Sequence, residues 1–297
     1  MTNLGWLLAT SAVALSPYSP LTGTWYAPPT VPDGAGGFVK VWVRYFPPVG
    51  SLSTQGPAFW TTGGQSEGFG AWSGNGGSGV SLSVTMGSPP FGQPTPTPAA
   101  GLPVSDYRMW RSQLYAQRVD AKGNEVWTNN GKMLATSFGL IEPPAVVPDE
   151  LGNTIVVWSQ LNADYDLYAQ KISAAGEPLW EKPAVGVAVM VREQRFPQAV
   201  ADGKGGVFVG WQDSRRGDID VYVQHLDDKG KESWPRGGVP LTGPRDQYLV
   251  AMTADMKGGV WLTWYEPRFQ ESYETFSLHL DEKGRATSDA PHWWRGE

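Results

Sequence analysis

The sequence predicts an all-β protein: a β-propeller of four four-stranded blades forming one domain over residues 1–297. Three observations predict it. The composition opposes helices, a unit of about 53 residues recurs along the chain, and each unit holds four strand-like stretches. Gly (37) and Pro (25) are abundant, and both break helix interiors. Trp (15) and Tyr (11) suit strands and interfaces.

The repeat is read from columns. Trp158, Trp211 and Trp264 stand at one interval, and Trp42 precedes them by that interval plus an insertion. Tyr115, Tyr168, Tyr222 and Phe276 keep the same period, as do Gly123, Gly176, Gly230 and Gly284. Trp127, Trp180 and Trp234 match in three copies, and Ser288 takes that place in the fourth. The blades are assigned to 28–45 with 111–136, then 141–190, 195–242 and 247–286.

Within a unit, the first strand is an apolar stretch such as AVVP or QAVA. An Asp-led Gly turn follows, at Asp33–Gly37, Asp202–Gly206 and Asp255–Gly259, where Gly supplies the positive φ of a tight hairpin. The second strand ends on the Trp, as in TIVVW and VFVGW. A polar loop leads to the third strand, LYAQRVD or VYVQHLD. A second tight turn leads to a fourth strand beginning at Trp127, Trp180 or Trp234.

The fourth copy lacks its outer strand. Trp6 is followed by Val13 and Ala14 much as Trp180 is followed by Val187 and Ala188. Residues 6–15 are therefore expected to complete the last blade and close the ring, which would protect an exposed sheet edge. A signal-peptide core is the competing reading of Leu4–Leu15, although no Lys or Arg precedes it. An open half-ring pairing with a second chain is the alternative to closure.

The units resemble a bacterial β-propeller repeat of the form W-x-D-x-R…D-I-Y-x-Q-x-L-D-x-x-G-x-x-x-W. The fullest copy runs Trp211-Gln-Asp213-Ser-Arg215, then Asp220-Val-Tyr222-Val-Gln224-His-Leu226-Asp227, and ends on Trp234. A four-blade ring is similar in architecture, not in sequence, to hemopexin-like domains. The resemblance implies the fold and a location outside the cytoplasm or at the cell surface. This chain departs from the pattern: the Asp-x-Arg pair is complete only in the third blade, and Leu278 replaces the Gln in the fourth. No sialidase-type Asp box occurs.

Residues 46–110 interrupt the first unit. Of positions 51–100, 31 are Gly, Ser, Thr or Pro, yet the segment also carries Phe59, Trp60, Phe69, Trp72 and Phe91, unlike a plain linker. It is read as an interaction element, with a self-packing cap or a disordered loop as alternatives. Residues 287–297 form a tail holding Trp293 and Trp294.

Other classes are excluded. The net charge of −6 argues against a nucleic-acid partner. No apolar run reaches the roughly 18 residues of a membrane span. The absence of Cys excludes disulfides, thiolate catalysis and zinc–cysteine sites.

In a propeller both tight Gly turns lie on one face, so the polar loops and the insertion share the other. That loop face receives Asn162, Asp164 and Asp166, then Asp213, Arg215, Arg216, Asp218 and Asp220, then Glu266, Arg268, Gln270, Glu271 and Glu274. Asp164 with Asp166, and Asp218 with Asp220, are two apart and would point to one side of an extended strand. Turn capping and Asp–Arg pairing are the stronger explanation of these acids. Calcium binding is a weaker one, so no cofactor is expected. Acid–base glycoside cleavage is the third.

The candidate binding residues are Trp60, Trp72, Asp164, Asp166, Asp213, Arg215, Asp218, Asp220, Arg268, Trp293 and Trp294. The expected function is non-catalytic binding or assembly, with a protein partner, further copies of the chain or a surface glycan. The alternatives are a carbohydrate-active hydrolase or lyase using the loop-face carboxylates, and a structural subunit of a larger complex. Arg118, Lys171, His225 and His279 form one column and are expected on a solvated face. Gln117, Gln170 and Gln224 are expected buried and hydrogen-bonded between blades.

Overall fold

The computed structural model of the protein describes residues 29–46, 110–128, 130–180, 184–241, 243–255, 257–268 and 272–287. Every regular element among them is a strand, arranged in four antiparallel sheets. The first sheet holds β1 (Thr30–Pro32), β2 (Phe38–Phe46), β3 (Arg111–Val119) and β4 (Lys132–Phe138). The second holds β5 (Ala145–Pro148), β6 (Thr154–Leu161), β7 (Tyr165–Ile172) and β8 (Val185–Ala188). The third holds β9 (Gln194–Ala201), β10 (Val207–Asp213), β11 (Asp220–Leu226) and β12 (Val239–Pro240). The fourth is three-stranded, with β13 (Tyr248–Ala254), β14 (Val260–Pro267) and β15 (Tyr273–Leu280). This is the all-β, propeller-like meander the repeat predicts. The expected closing strand 6–15, the Trp-containing tail and nearly all of the insertion lie outside the described residues. The insertion is shorter than expected at both ends, because Phe46 pairs with Arg111 inside the sheet and Trp110 is buried.

Each second strand continues past its Trp instead of ending there. Trp42, Trp158, Trp211 and Trp264 pair across the ladder with Tyr115, Tyr168, Tyr222 and Phe276, and the rings of each pair stack. Trp158, Trp211 and Trp264 have no exposed surface. Three apolar clusters then join neighbours in chain order. One combines the first and second sheets around Trp158, one the second and third around Trp211, and one the third and fourth around Trp264. Burying one such Trp against the preceding sheet removes about 150–250 Å² of mainly apolar surface, worth several kcal/mol against its exposed state.

Trp127, Trp180 and Trp234 do not begin the fourth strands; they precede them. After the second turn the chain makes one bridge, as at Ile172↔Pro178, and then places the Trp on the neighbouring sheet. Each indole N–H donates to a carbonyl in the next sheet's second turn: Trp127 to Ala174 at 3.1 Å, Trp180 to Asp228 at 3.1 Å, and Trp234 to Glu282 at 3.0 Å. The ring lies against the turn glycine. A Cβ on Gly230 (φ +76°) would stand 2.5 Å from the Trp180 ring. These Trp and Gly columns are therefore one device, an indole laid on a turn that has no side chain.

The cationic column is not solvated. The Asp of each first turn caps its own loop and also pairs with this column. Asp149 Oδ1 accepts from the backbone N–H groups of Leu151 and Asn153, and its other oxygen lies 2.7 Å from Lys171 Nζ. Arg118 pairs with Asp33 at 2.9 Å, His225 with Asp202 at 2.8 Å and His279 with Asp255 at 2.9 Å. Lys171 is only 4 % exposed and also donates to the carbonyl of Gly205 in the third sheet. The capped carboxylate fixes the cation inward, which side-chain type alone does not reveal.

Gln117, Gln170 and Gln224 are buried as expected, but Gln117 and Gln224 bond within their own sheet. Gln224 donates to Glu232 and the carbonyl of Pro235 and accepts from Trp234 N; Gln117 repeats this with Glu125, Thr128 and Trp127. The amide satisfies the backbone where the chain leaves the ladder.

Candidate functional site

Two residues beyond each Trp–aromatic pair, where strand periodicity returns to the same face, the ladder places a polar pair. These pairs are Arg44↔Gln113, Gln160↔Asp166, Asp213↔Asp220 and Glu266↔Glu274. Their position at the loop end has a local cause. A buried indole N–H needs an acceptor, and the residue two positions on supplies it. Trp158 donates to Gln160 (3.3 Å), Trp211 to Asp213 (2.8 Å) and Trp264 to Glu266 (3.5 Å).

Further polar residues stand at or just before the first strand of the second, third and fourth sheets. Glu142 accepts from Ser159 Oγ at 2.5 Å and from the Arg195 guanidinium. Arg195, in the third sheet, also lies over the Tyr165 ring of the second. Gln247 accepts from Val221 N–H in the third sheet and donates to Glu266 in the fourth (3.3 Å). Gln194 is fully buried beside Asp213. The sequence reading passed over Glu142, Gln194, Gln247 and Arg195. A signal existed, since Gln194 and Gln247 stand one repeat apart, but in a connector a polar residue gives no indication of burial.

The carboxylates are unlike one another. Asp213, 1 % exposed, is held by Arg215 through Nε at 2.8 Å and Nη2 at 2.5 Å, and that guanidinium covers the Tyr222 ring. Asp220, directly opposite on β11 and 3 % exposed, has no such clamp; Arg216 reaches it only at 4.0 Å. Burial pushes the Asp220 carboxyl up to about 6. Arg216 opposes this, while the charges of Asp218 and Asp213 add to it. Asp166 is also raised, again mainly by burial, although Asn162 donates to it at 3.3 Å. Glu266 has no exposed surface. Its Oε1 is hydrogen-bonded, but its Oε2 accepts no hydrogen bond and faces Arg245 at 3.9 Å.

The structure thus gathers part of the expected set. Asp213, Arg215 and Asp220 meet in the third sheet, and Asp166 holds the corresponding place in the second. The two-apart pairs do not act together. Asp164 and Asp218 sit exposed in loops while Asp166 and Asp220 are buried in strands. Asp164 instead accepts from Arg192 N–H, and Arg268 pairs with Glu274 at the outer edge of the fourth sheet. Trp60, Trp72, Trp293 and Trp294, with Gln270 and Glu271, lie outside the described residues. Among the described residues no three His, Asp or Glu side chains are placed to hold a metal ion, so the calcium alternative has no site there. No helix among them is long and apolar enough to cross a membrane.

No family model matches the chain, and no curated protein matches it. Solved structures do. One is an endo-arabinase from Bacteroides thetaiotaomicron, at TM-score 0.33 and 11 % identity, covering 57 % of this chain and 69 % of that one. Another is an α-L-arabinofuranosidase from Lactobacillus brevis, at TM-score 0.35 and 11 % identity, covering 63 % and 68 %. A third is an endo-arabinanase from Bacillus licheniformis, at TM-score 0.31 and 13 % identity, covering 59 % and 67 %. The expectation of a non-catalytic binding or assembly propeller is corrected here, because the solved structures it is similar to are glycoside-cleaving enzymes. At these scores the likeness is one of strand architecture, and the chemistry of the site is argued from its own geometry.

Proposed function

We propose that the chain is a carbohydrate-active hydrolase or lyase working through the carboxylates at its loop end. The observation that carries this reading is the unequal pair on β10 and β11. Cleaving a glycosidic bond requires one carboxyl that donates a proton and one that stays ionised, and unlike environments produce that division. Asp220, near 6 and without a close cation, is the proton donor. Asp213, clamped by Arg215, is the carboxylate that faces developing positive charge. Buried Glu266 of the next sheet, whose Oε2 accepts no hydrogen bond, is a third acid, linked to the third sheet through Gln247. As the finer reading of the fold, the four sheets are blades of one ring whose last blade is completed by residues 6–15. The resemblance to secreted propeller repeats supports a location outside the cytoplasm or at the cell surface.

The test is sugar release from a panel of polysaccharides that includes arabinan and xylan. Activity is expected to fall as pH rises through about 6, because the donor must be protonated. Asp220→Asn is expected to lower the rate by about 10²–10⁴-fold with unchanged circular dichroism, while exposed Asp164→Asn leaves it intact. No release from any member, or equal rates for Asp220→Asn and the parent, refutes the reading.

A further inference from the structure

Asp220 is held by more than its own ladder. The residues on either side of it, Ile219 and Val221, are bonded to the stretch that leads from the third sheet into the fourth. Ile219 N–H donates to Asp246 Oδ1 at 2.9 Å, and Ile219 O accepts from Gln247 N–H at 2.6 Å. Val221 N–H donates to Gln247 Oε1 at 3.2 Å, and Val221 O accepts from Leu241 N–H at 2.7 Å. Gly243 N–H donates to the Asp220 carboxylate itself. Gln247 has no exposed surface, and its Nε2 donates to Glu266 Oε1 at 3.3 Å. One buried amide thus ties the backbone beside one acid to the carboxylate of another, across two sheets. Repeat position alone does not impose this. Gln194 stands one repeat earlier and also reaches the carboxylate of its own sheet, Asp213. The rest of its amide accepts from Met190 N–H and donates to the carbonyls of Val191 and Arg192, just before it in the chain.

We infer that Asp246 and Gln247 are positioning residues, which fix Asp220 at the head of β11 and set its place relative to Glu266. A proton donor must meet the leaving oxygen at hydrogen-bond range, and a misplacement of about 1 Å costs roughly 10²-fold in rate. Asp220 is the first residue of β11, and strand ends open more readily than strand centres. Bonds on both of its flanks remove that freedom. They also keep the carboxyl buried, at 3 % exposure for the residue, and burial is the main cause of its raised proton affinity. Around it stand Asp213 on β10 with its Arg215, Arg216 and Asp218 in the loop before β11, Tyr222 further along β11, and Asp246 itself. Of these, Arg216 lowers the affinity while Asp218 and Asp213 raise it. Freeing Ile219 and Val221 admits water to the carboxyl and brings its affinity down toward the ordinary 3.9 or so. The catalytic meaning of the clip rests on the enzymatic reading, whereas the positioning itself is measured without a substrate.

The test is a carbon-13 titration of the side-chain carboxyls in the full chain labelled at Asp, with Asp220→Asn identifying the signal. The parent midpoint of Asp220 is expected near 6. Asp246→Ala and Gln247→Met are each expected to lower it by about one unit, with circular dichroism showing a retained fold. Asp246→Asn keeps an acceptor for Ile219 N–H but carries no charge, and is expected to titrate like the parent. If Gln247→Met does not fold, the two Asp246 variants decide. In the sugar-release assay Gln247→Met is expected to lower kcat at least about tenfold with KM little changed, and to move the falling limb of the pH profile below that of the parent. A parent-like midpoint in both Asp246→Ala and Gln247→Met overturns the inference. An equal fall in Asp246→Asn and Asp246→Ala also overturns it, because the effect then belongs to the charge of Asp246. Sugar release absent from every polysaccharide, with the midpoints shifted as expected, refutes the enzymatic reading and upholds the positioning.

Discussion

Replacing Lys171 with Met tests whether the cationic column supports the fold or only covers it. Lys171 Nζ lies 2.7 Å from Asp149 Oδ2 and donates to Gly205 O at 2.8 Å, and the two side chains are 5 % and 0 % exposed. Met fills the volume of the Lys stem but brings no charge. Asp149 keeps bonds from Leu151 N, Asn153 N and Asn153 Nδ2, so its desolvated charge loses its counter-ion but not its cap. Breaking one side of a buried pair costs about 3–5 kcal/mol. At about 2–4 °C per kcal/mol for a domain of this size, the melting temperature falls by roughly 6–20 °C.

Adding Asp149→Asn removes the stranded charge and is expected to recover much of that loss, so the double-mutant cycle shows a coupling of at least about 2 kcal/mol. The same pair has a pH signature. Burial pushes the Asp149 carboxyl up, but Lys171 and Asn153 outweigh it, and the net effect is a lowered value. A depressed carboxyl contributes stability above its unfolded value, about 3.9, and loses it as pH falls through the folded one. The parent therefore weakens more steeply than Lys171→Met below about pH 4. Denaturant melts across pH measure both effects. A Lys171→Met cost under about 1 kcal/mol, the range of an exposed ion pair, refutes the argument.

The sheet-to-sheet indole predicts a graded series. Trp180→Phe keeps most of the ring but strands Asp228 O, costing about 1 kcal/mol, while Trp180→Ala costs about 3–5 kcal/mol; similar losses for both in denaturant melts would show that ring contact is not what counts. Asp202 and Asp255 are raised by burial but lowered further by their His and backbone donors, so both lose stabilisation as pH falls through their folded values. Asp202→Asn is accordingly expected to flatten the acid limb of stability, and an unchanged limb in acid melts contradicts it.

Much of the architecture was legible because packing repeats. An indole is buried against the preceding sheet in the second, third and fourth units, so Trp158, Trp211 and Trp264 recur at one interval. The turn beneath Trp180 must lack a side chain, so Gly230 keeps the interval too. What recurs for one physical reason can be read without coordinates. The carboxylates at the loop end were legible as a group but not by role. Asp218 and Asp220 look alike in sequence, yet one ends in solvent and the other beneath the ladder. A carboxyl's proton affinity depends on how much water and which charges surround it, and those neighbours come from distant parts of the chain. The same holds for Lys171, whose type signals a surface and whose partner, the capped Asp149, turns it inward. The sequence by itself determined the four sheets, the order of their strands and the Trp and Gly columns that join one sheet to the next, though not where each strand ends, because these follow from local periodicity. Only the tertiary structure decided which acids are buried and which are clamped, because each depends on the space and the charges that neighbouring sheets leave.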